Sequence, residues 1–198
     1  MFTGIIEALG QVKEVSVDGT NKSFWLESHL SAELKVDQSL AHNGVCLTVE
    51  EIKDSHYKVT AVQETLSKTT LNQWDTGTII NLERSLLPSS RLDGHFVQGH
   101  VDSIGTCEKI EDKNGSWEFT FSFPENFAPL VIEKGSICLS GISLTVFNVE
   151  RETFKVAIIP YTFEHTNLKY LKVADPVNLE FDLLGKYITR QLSLQVSN

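Results

Sequence analysis

Two short stretches of the chain carry the same alternation of apolar and small polar side chains. Asn43–Val49 reads NGVCLTV, and 97 residues later Ser140–Val146 reads SGISLTV. Successive side chains of a β-strand point to opposite faces, so burial of the apolar face would bring Cys46 and Thr48 together on the other face. Paired polar groups beside a glycine suit a flat ligand that forms hydrogen bonds. A plain hairpin strand with a half-solvated face is the alternative for one copy alone, and the retention of the pattern in both copies favours a ligand site.

Two histidines at the start of the second half could take part in proton transfer. His95 and His100 lie five residues apart and flank a glycine. Imidazole exchanges protons near neutral pH, which makes His100 a candidate for acid–base chemistry. As a metal pair the two lack a visible third ligand, and hydrogen-bonded structural histidines are the alternative for at least one. The equivalent of His100 in the first half is Ile5, and the equivalent of Cys46 in the second half is Ser143. At these equivalent positions, only the first half therefore offers a thiol, and only the second half offers an imidazole near its opening glycine.

The repeat extends over the whole chain of 198 residues. The offset of 97 residues also relates Thr65 to Thr162, and Asn81–Glu83 to Asn178–Glu180. Two collinear halves of this length predict a duplicated domain, because the units of solenoid arrays are only about 20–50 residues long. The stretch 88–94 is rich in turn formers and is the predicted linker. The predicted division is 1–94 for the first domain, 95–183 for the second and 184–198 for a tail.

Short alternating segments separated by turn signals predict an all-β chain, with a β-barrel or a β-sandwich in each half. We predict one strand over Ser39–Val49 and short helices near 30–36 and 64–71. In the tail, Leu184–Leu194 spaces its apolar residues three and four apart, as in an amphipathic helix. That helix could pack on the flank of its own barrel or dock on other subunits.

The composition excludes several classes of function. The net charge of −9, without a basic run, argues against nucleic acid as a partner. The chain starts without a basic region or a long apolar run, so we expect a cytoplasmic protein that neither enters nor crosses a membrane. The three cysteines, Cys46, Cys107 and Cys138, lack metal-site spacing and are interpreted as reduced thiols. Metal and nucleotide motifs are absent from the sequence, so no metal and no cofactor is expected.

Four motifs together resemble the alpha-type riboflavin synthases, a family of duplicated lumazine-binding barrels. They are MFTG at 1–4, NGVCLTV at 43–49, GHFVQGHVD at 94–102 and GISLTV at 141–146. The resemblance spans essentially the whole chain. It implies two similar six-stranded Greek-key β-barrels and a C-terminal α-helix around which a homotrimer assembles. The sequence does not indicate whether the protein associates with lumazine synthase.

The implied reaction is a dismutation of two molecules of 6,7-dimethyl-8-ribityllumazine. One molecule donates a four-carbon unit to the other, which gives riboflavin and 5-amino-6-(ribitylamino)uracil without a cofactor or metal. Two identical substrates call for two similar pockets, which a duplicated barrel can supply. Orientation of two reactants can contribute about 7–11 kcal/mol of the barrier. The residues leave open which barrel holds the donor, and whether the reacting pair forms within or between chains.

Carried over residue by residue, the resemblance implies roles in activity for Phe2, Ser39, Cys46, His100 and Asp182. The implied ligand contacts in the first half are Gly4, Ile5, Ile6, Cys46, Leu47, Thr48, Thr60, Ala61, Val62, Gln63, Glu64 and Thr65. In the second half they are Gly99, His100, Val101, Lys134, Ser143, Leu144, Thr145, Ala157, Ile158, Ile159, Pro160, Tyr161 and Thr162. A small buried thiol is the alternative for Cys46, and a solvated strand end is the alternative for Asp182. Two positions depart from the family: Asp93 replaces a usual glycine, and Ser140 stands where aspartate is common.

Two other functions fit parts of the sequence. The first alternative is a non-catalytic lumazine- or flavin-binding protein, since fluorescent lumazine proteins share the duplicated barrel. A binder needs only one good site, whereas here both halves keep the motif, which favours the enzyme. The second alternative is an interaction module without a ligand, which leaves the repeated Gly-x-Cys/Ser-x-Thr pattern unexplained.

Overall fold

The computed structural model describes residues 1–196, and its first half is one antiparallel sheet. The strands are β1 (Ala8–Asp18), β2 (Asn21–Glu27), β3 (Ser39–His42), β4 (Val45–Thr48), β5 (Glu51–Lys53), β6 (His56–Ala61) and β7 (Ile79–Arg84). Their order is β4-β3-β7-β1-β2-β6-β5. The edge strands β4 and β5 are separated along the chain only by Val49 and Glu50, and the Glu50 N–H donates to the Lys58 carbonyl at 2.9 Å. The chain itself therefore joins the two edges of this sheet.

The second half is a closed six-stranded barrel. Its strands are β8 (Ser103–Asp112), β9 (Trp117–Ser122), β10 (Ser136–Leu139), β11 (Ile142–Phe147), β12 (Thr153–Ile158) and β13 (Pro176–Phe181). The order β10-β11-β12-β9-β8-β13 repeats the order of the first half, with β11 in the place of β4 and β5 together. The prediction of an all-β chain with two similar halves is confirmed.

Each repeated motif forms a hairpin, so the prediction of one strand over Ser39–Val49 is wrong. A two-residue turn separates β3 from β4, with φ of 47° at Asn43 and 79° at Gly44. The second copy has φ of 45° at Ser140 and 85° at Gly141. Positive φ at both central residues marks a type I′ turn, whose twist matches that of the flanking strands. The apolar alternation correctly predicted which side chains are buried, but this turn lies inside it.

A buried histidine supports the first of these hairpins. His42 ends β3, and its Nδ1 lies 2.9 Å from the Leu40 carbonyl, which can only accept. Nε2 is therefore the unprotonated nitrogen and accepts from the Tyr57 hydroxyl at 3.0 Å. Burial lowers the pKa of His42 to about 4, so the ring is neutral at physiological pH.

Three α-helices and four 3₁₀ helices complete the described chain. The α-helices are α1 (Gln63–Lys68), α2 (Pro160–His165) and α3 (Leu183–Val196), and the 3₁₀ helices are His29–Glu33, Thr70–Gln73, Glu125–Leu130 and Asn167–Tyr170. Helices α1 and α2 directly follow the equivalent strands β6 and β12. The helix expected near 30–36 is the 3₁₀ turn, and α1 with the next 3₁₀ helix occupies 64–71. Within residues 1–196, no helix combines the length and apolar character needed to cross a bilayer.

The two halves have separate hydrophobic cores and meet in a small third cluster. The cluster consists of Phe2, Ala41, Val97 and Cys138, with Cys46 packed against it. A side-chain carbon on Gly44 would lie 2.8 Å from the Gly141 nitrogen, and one on Gly141 would lie equally close to the Gly44 nitrogen. The two type I′ turns therefore touch through glycines that tolerate no side chain.

Reciprocal asparagine contacts hold the two turns together. Asn81 Nδ2 donates to the Ser140 carbonyl, and Asn178 Nδ2 donates to the Asn43 carbonyl, both at 2.9 Å. The side chains at the first turn position also act alike, because Asn43 Oδ1 accepts from the Asn81 N–H at 2.7 Å and Ser140 Oγ accepts from the Asn178 N–H at 3.3 Å. Ser140, which stands where aspartate is common in the family, thus accepts this hydrogen bond through its hydroxyl oxygen instead of a carboxylate.

The C-terminal helix exposes its apolar stripe. Leu184, Tyr187, Ile188 and Leu192 are all exposed. On the other side of α3, Gly185 faces Leu130 of the second half. The predicted helix is confirmed, and its stripe is not used to pack on the flank of its own barrel.

Candidate functional site

The segment that precedes the first strand of each half crosses to the other half. Phe2 and Val97 form an antiparallel bridge, in which the Phe2 N–H donates at 2.7 Å and the Val97 N–H at 3.1 Å. Beyond the bridge, the Gly99 carbonyl accepts from the Cys46 N–H at 2.9 Å. The Gly4 carbonyl accepts from the Ser143 N–H at 2.7 Å. Each opening segment therefore lies against the repeated motif of the opposite half.

The first site, here called the thiol site, is a cavity of about 360 Å³ that both halves build. Its lining residues are Val45, Cys46, Glu64, Thr65, Lys68, Thr69, Gly99, His100, Val101 and Asp102. The thiol of the first half and the imidazole of the second half therefore belong to one site. In the sequence, the thiol and the imidazole belong to different halves. They share one site because each opening segment crosses to the opposite half.

The second site, here called the serine site, is centred on Ser143 and Thr145 of β11, with Gly4–Ile6 as its opening segment. His95 Nδ1 lies 2.7 Å from Ser143 Oγ, so this site also has an imidazole. Burial lowers the pKa of His95, while the carboxylate of Asp182 partly opposes that shift. The sequence predicts a structural or metal-pair role for His95, and its contact with the serine cannot be inferred from spacing alone.

The turn before His95 explains why one of the departures from the family is tolerated. A side-chain carbon on Gly94 would collide with the Thr3 carbonyl and lie 2.9 Å from Ser143 Cβ, so this glycine is required. Asp93 is exposed and pairs with Arg91 at 3.5 Å, so its side chain points to solvent. The glycine that the fold needs is therefore Gly94, which the chain retains.

The two sites differ at equivalent positions of α1 and α2. At the thiol site, Lys68 Nζ lies 2.9 Å from Glu64 Oε1, one helical turn away. At the serine site, the rings of Tyr161 and His165 stack with centroids 4.1 Å apart. One site is thus bordered by an ion pair and the other by an aromatic stack, although the backbone is repeated. Lys68, Thr69 and Asp102 line the thiol site but were not predicted from the sequence.

The residues expected to act in catalysis occupy different surroundings. Phe2 is fully buried in the cluster between the halves, behind Gly99 and Cys46. Ser39 is paired in register with Thr48, which places it on the same face of the sheet as the thiol site. Asp182 Oδ1 accepts from the Leu184 N–H at 2.9 Å and thereby caps α3.

Several expected ligand contacts have side chains in the barrel cores. Leu47, Ala61 and Ile158 are buried there, so what they can offer a ligand is their backbone. Lys134 Nζ lies over the Phe147 ring at 5.4 Å, on the same face of β11 as Ser143. Thr60 Oγ1 is occupied by a hydrogen bond to Glu50 at 2.8 Å. Across residues 1–196, no three His, Cys, Asp or Glu side chains gather as a metal site requires.

Comparison with known proteins identifies the repeat and its relatives. The family described as lumazine binding domain matches residues 3–85 and 98–182. The riboflavin synthase of Photobacterium phosphoreum is 36% identical over 97% of this chain and 89% of its own length. The riboflavin synthase of Schizosaccharomyces pombe is 35% identical over 100% of this chain and 97% of its own length. That of Bacillus subtilis is 33% identical over 97% of this chain and 90% of its own length.

Solved structures support the fold. LumP complexed with riboflavin superposes with a TM-score of 0.86 at 20% identity, over 92% of this chain and 100% of that chain. LumP complexed with 6,7-dimethyl-8-(1'-D-ribityl) lumazine gives a TM-score of 0.84 at 18% identity, over 92% and 99%. At these identities the likeness concerns the fold alone. Two matched repeats, and identities of 33 to 36% to riboflavin synthases over nearly the whole chain, show that the chain is an enzyme of the riboflavin synthase family.

Proposed function

We propose that the chain catalyses the dismutation of 6,7-dimethyl-8-ribityllumazine, in which two molecules yield riboflavin and 5-amino-6-(ribitylamino)uracil. The observation that carries the proposal is the pair of crossed sites, each built from a repeated motif of one half and an opening segment of the other. The relatives are riboflavin synthases, and LumP holds a lumazine and riboflavin in a similar fold. A reaction between two identical molecules needs two related sites of this kind.

Binding relies on features that both sites share. Each site presents a small polar side chain and a threonine on one strand face, Cys46 and Thr48 or Ser143 and Thr145. Each site also has a second threonine, in the first turn of a helix: Thr65 of α1 at the thiol site and Thr162 of α2 at the serine site. These groups can form hydrogen bonds with the edge of a planar ring and with its hydroxylated side chain. Shared features of this kind bind the two substrates alike.

The different roles of the two substrates come from the features that the sites do not share. In the thiol site, the imidazole of His100 lines the same cavity as the thiol of Cys46, and imidazole is the side chain that enzymes use most often for proton transfer. In the serine site, His95 Nδ1 lies within hydrogen-bond distance of Ser143 Oγ, and Ile5 stands at the position equivalent to His100. We assign proton transfer to His100 and orientation of the bound ring to His95 with Ser143.

The reacting pair forms between subunits of a homotrimer, as the family implies. The exposed stripe of α3 supports association, since four large apolar side chains on one helix face are otherwise left in water. Approach of the thiol site of one subunit to the serine site of its neighbour would bring two bound rings together. Such an arrangement turns a bimolecular step into an effectively unimolecular one, which can lower the barrier by about 7–11 kcal/mol.

The test is incubation of the purified protein with 6,7-dimethyl-8-ribityllumazine, followed by flavin absorbance and fluorescence. Two molecules of the lumazine should disappear for each riboflavin formed, and the rate should survive dialysis against EDTA. Tight binding without turnover would favour the alternative of a non-catalytic lumazine-binding protein. Turnover that is lost with EDTA and restored by a divalent ion would contradict the cofactor-free reaction.

A further inference from the structure

Two equivalent glutamates lie buried on the last strand of each half, outside the sets of residues assigned to the two sites. Glu83 on β7 is 4% exposed, and Glu180 on β13 is 2% exposed. Neither forms an ion pair within 4.0 Å in the described part of the chain. Burial of a carboxylate is costly unless hydrogen bonds compensate for the lost water. The hydrogen bonds that these two carboxylates accept therefore indicate what they do.

Glu180 accepts three consecutive backbone N–H groups. Its Oε1 accepts from Gln98 at 2.7 Å, and its Oε2 accepts from Gly99 and from His100, both at 2.9 Å. This stretch has no regular secondary structure, so the carboxylate provides the partners that a neighbouring strand would otherwise provide. Bonds between N–H groups and a charged acceptor are stronger than neutral ones. Glu180 thus fixes the backbone that carries the His100 imidazole.

Glu83 holds the opening segment of the first half in the same way. Its Oε1 accepts from the Thr3 N–H at 2.6 Å and from the Thr3 hydroxyl at 2.7 Å. Its Oε2 accepts from the Gly4 N–H at 2.9 Å. The Thr3 hydroxyl then accepts from the Ile5 N–H at 3.1 Å. The segment Thr3–Ile5 is therefore anchored to β7 of its own half while it contacts the motif of the other half.

We propose that Glu180 is the positioning residue of the thiol site and that Glu83 is the positioning residue of the serine site. Each glutamate clamps the opening segment of its own half, and that segment completes the site of the opposite half. The carbonyl of Gly99 accepts from the Cys46 N–H at 2.9 Å, and the carbonyl of Gly4 accepts from the Ser143 N–H at 2.7 Å. The structural assignment stands without the reaction, whereas its effect on turnover rests on the proposed function.

Burial and hydrogen bonding act on the pKa of each of the two glutamates in opposite directions. Burial raises the pKa of Glu180, and that shift is opposed by the N–H group of Gln98, by the charge of Lys186 and by the N–H groups of His100 and Gly99. Burial likewise raises the pKa of Glu83, against the hydrogen bonds from Thr3 and the neighbouring glycine. The backbone N–H groups thus favour the charged, accepting form that a clamp requires.

The test uses the full chain with Glu180→Gln and Glu83→Gln as matched variants. Glutamine keeps the size of the side chain, but its amide nitrogen donates and cannot accept from an N–H group. The primary readout is the rate of Cys46 alkylation by iodoacetamide, because Cys107 and Cys138 are buried. Alkylation should become about tenfold or more faster in Glu180→Gln, since one charged hydrogen bond is worth at least that factor. In Glu83→Gln it should stay within about threefold of the parent, because that clamp serves the other site.

The histidines report on the two sites separately. The imidazole NMR signals of His100 should shift in Glu180→Gln, and those of His95 should shift in Glu83→Gln. Equal effects of both variants on Cys46, or no effect of either, would overturn the assignment. Both variants should also lose about tenfold to a hundredfold in kcat/KM for the lumazine reaction. An inactive parent protein would refute the proposed function and leave the alkylation and NMR results to decide on the clamps.

A measurement on the unchanged protein covers the case in which a variant does not fold. Hydrogen exchange at the N–H groups of Gly4, Gly99 and His100 should be slow, although these residues lie outside the strands. Exchange at the rate of an unstructured peptide would overturn the clamps without any substitution.

Discussion

The replacement Gly99→Ala should test the crossed architecture directly. Gly99 has φ of 80°, a conformation that costs a residue with a side chain about 1–2 kcal/mol. The added methyl group would lie 2.6 Å from Cys46 Cβ, 3.0 Å from the Cys46 nitrogen and 2.9 Å from Phe2 Cε2. Since two of these atoms belong to a paired strand and the third to a buried ring, the opening segment must move away. That movement breaks the hydrogen bond from the Cys46 N–H to the Gly99 carbonyl.

The expected loss in the free energy of unfolding is the sum of these effects. Left-handed backbone strain contributes about 1–2 kcal/mol and the lost hydrogen bond about 1 kcal/mol, so we expect about 2–3 kcal/mol in total. A domain is typically stable by about 5–15 kcal/mol, so the variant should stay folded. Displacement of the neighbouring His100 by about 1 Å can cost about 10²-fold in turnover.

Two further glycine variants separate the contributions. Gly19→Ala also has positive φ, 61°, but its methyl group would meet nothing within 4 Å, so it measures backbone strain alone. Gly4→Ala has φ of 79° and would lie 2.6 Å from Ser143 Cβ, so it disturbs the serine site instead. The assay is urea unfolding of the three variants, with kcat/KM and the alkylation rate of Cys46. An unfolding free energy of Gly99→Ala equal to that of Gly19→Ala, together with normal alkylation of Cys46, would refute the crossed contact.

Three other perturbations give distinct outcomes. Burial lowers the pKa of His42 from 6.5 to about 4, so between these pH values the unfolded chain binds a proton that the folded chain does not. The free energy of unfolding should therefore fall by up to about 3 kcal/mol as the pH is lowered from about 6.5 to about 4. In His42→Gln that contribution is absent, so urea unfolding of both proteins should converge in stability towards pH 4, and a constant difference would contradict the neutral ring. Truncation before Leu184 should dissociate the oligomer in sedimentation while both halves stay folded, and an unchanged sedimentation coefficient would mean that α3 does not hold subunits together. Cys46→Ser and His100→Ile each place in the thiol site the residue found at the equivalent position of the serine site, and His100→Ile should lower kcat about 10²–10⁴-fold. Because both residues line one cavity, the loss of kcat in the double variant should differ from the sum of the two single losses in free energy. Additive losses would indicate that the two residues act in independent sites.

The duplication, the strands and most of their buried faces follow from the amino-acid sequence alone. The alternation around Val45 and Leu47 predicts burial without reference to any other part of the chain, because it depends only on the two-residue period of a strand. The three- and four-residue spacing of the tail likewise predicted α3. The same alternation hid the turn at Asn43 and Gly44, since two residues with positive φ interrupt a strand pair without disturbing its apolar pattern. Local periodicity therefore located the elements but not all of their ends.

Which groups share a site depends instead on how the two halves pack together. Alignment of the halves equates His100 with Ile5, and Cys46 with Ser143, but it contains no information on which motif each opening segment faces. The segments cross because the bridge between Phe2 and Val97 joins them antiparallel, so each continues into the opposite half. A contact between residues more than fifty positions apart depends on how the two halves pack against each other. That packing is set by the touching turns between the halves, and no local pattern in the sequence records it.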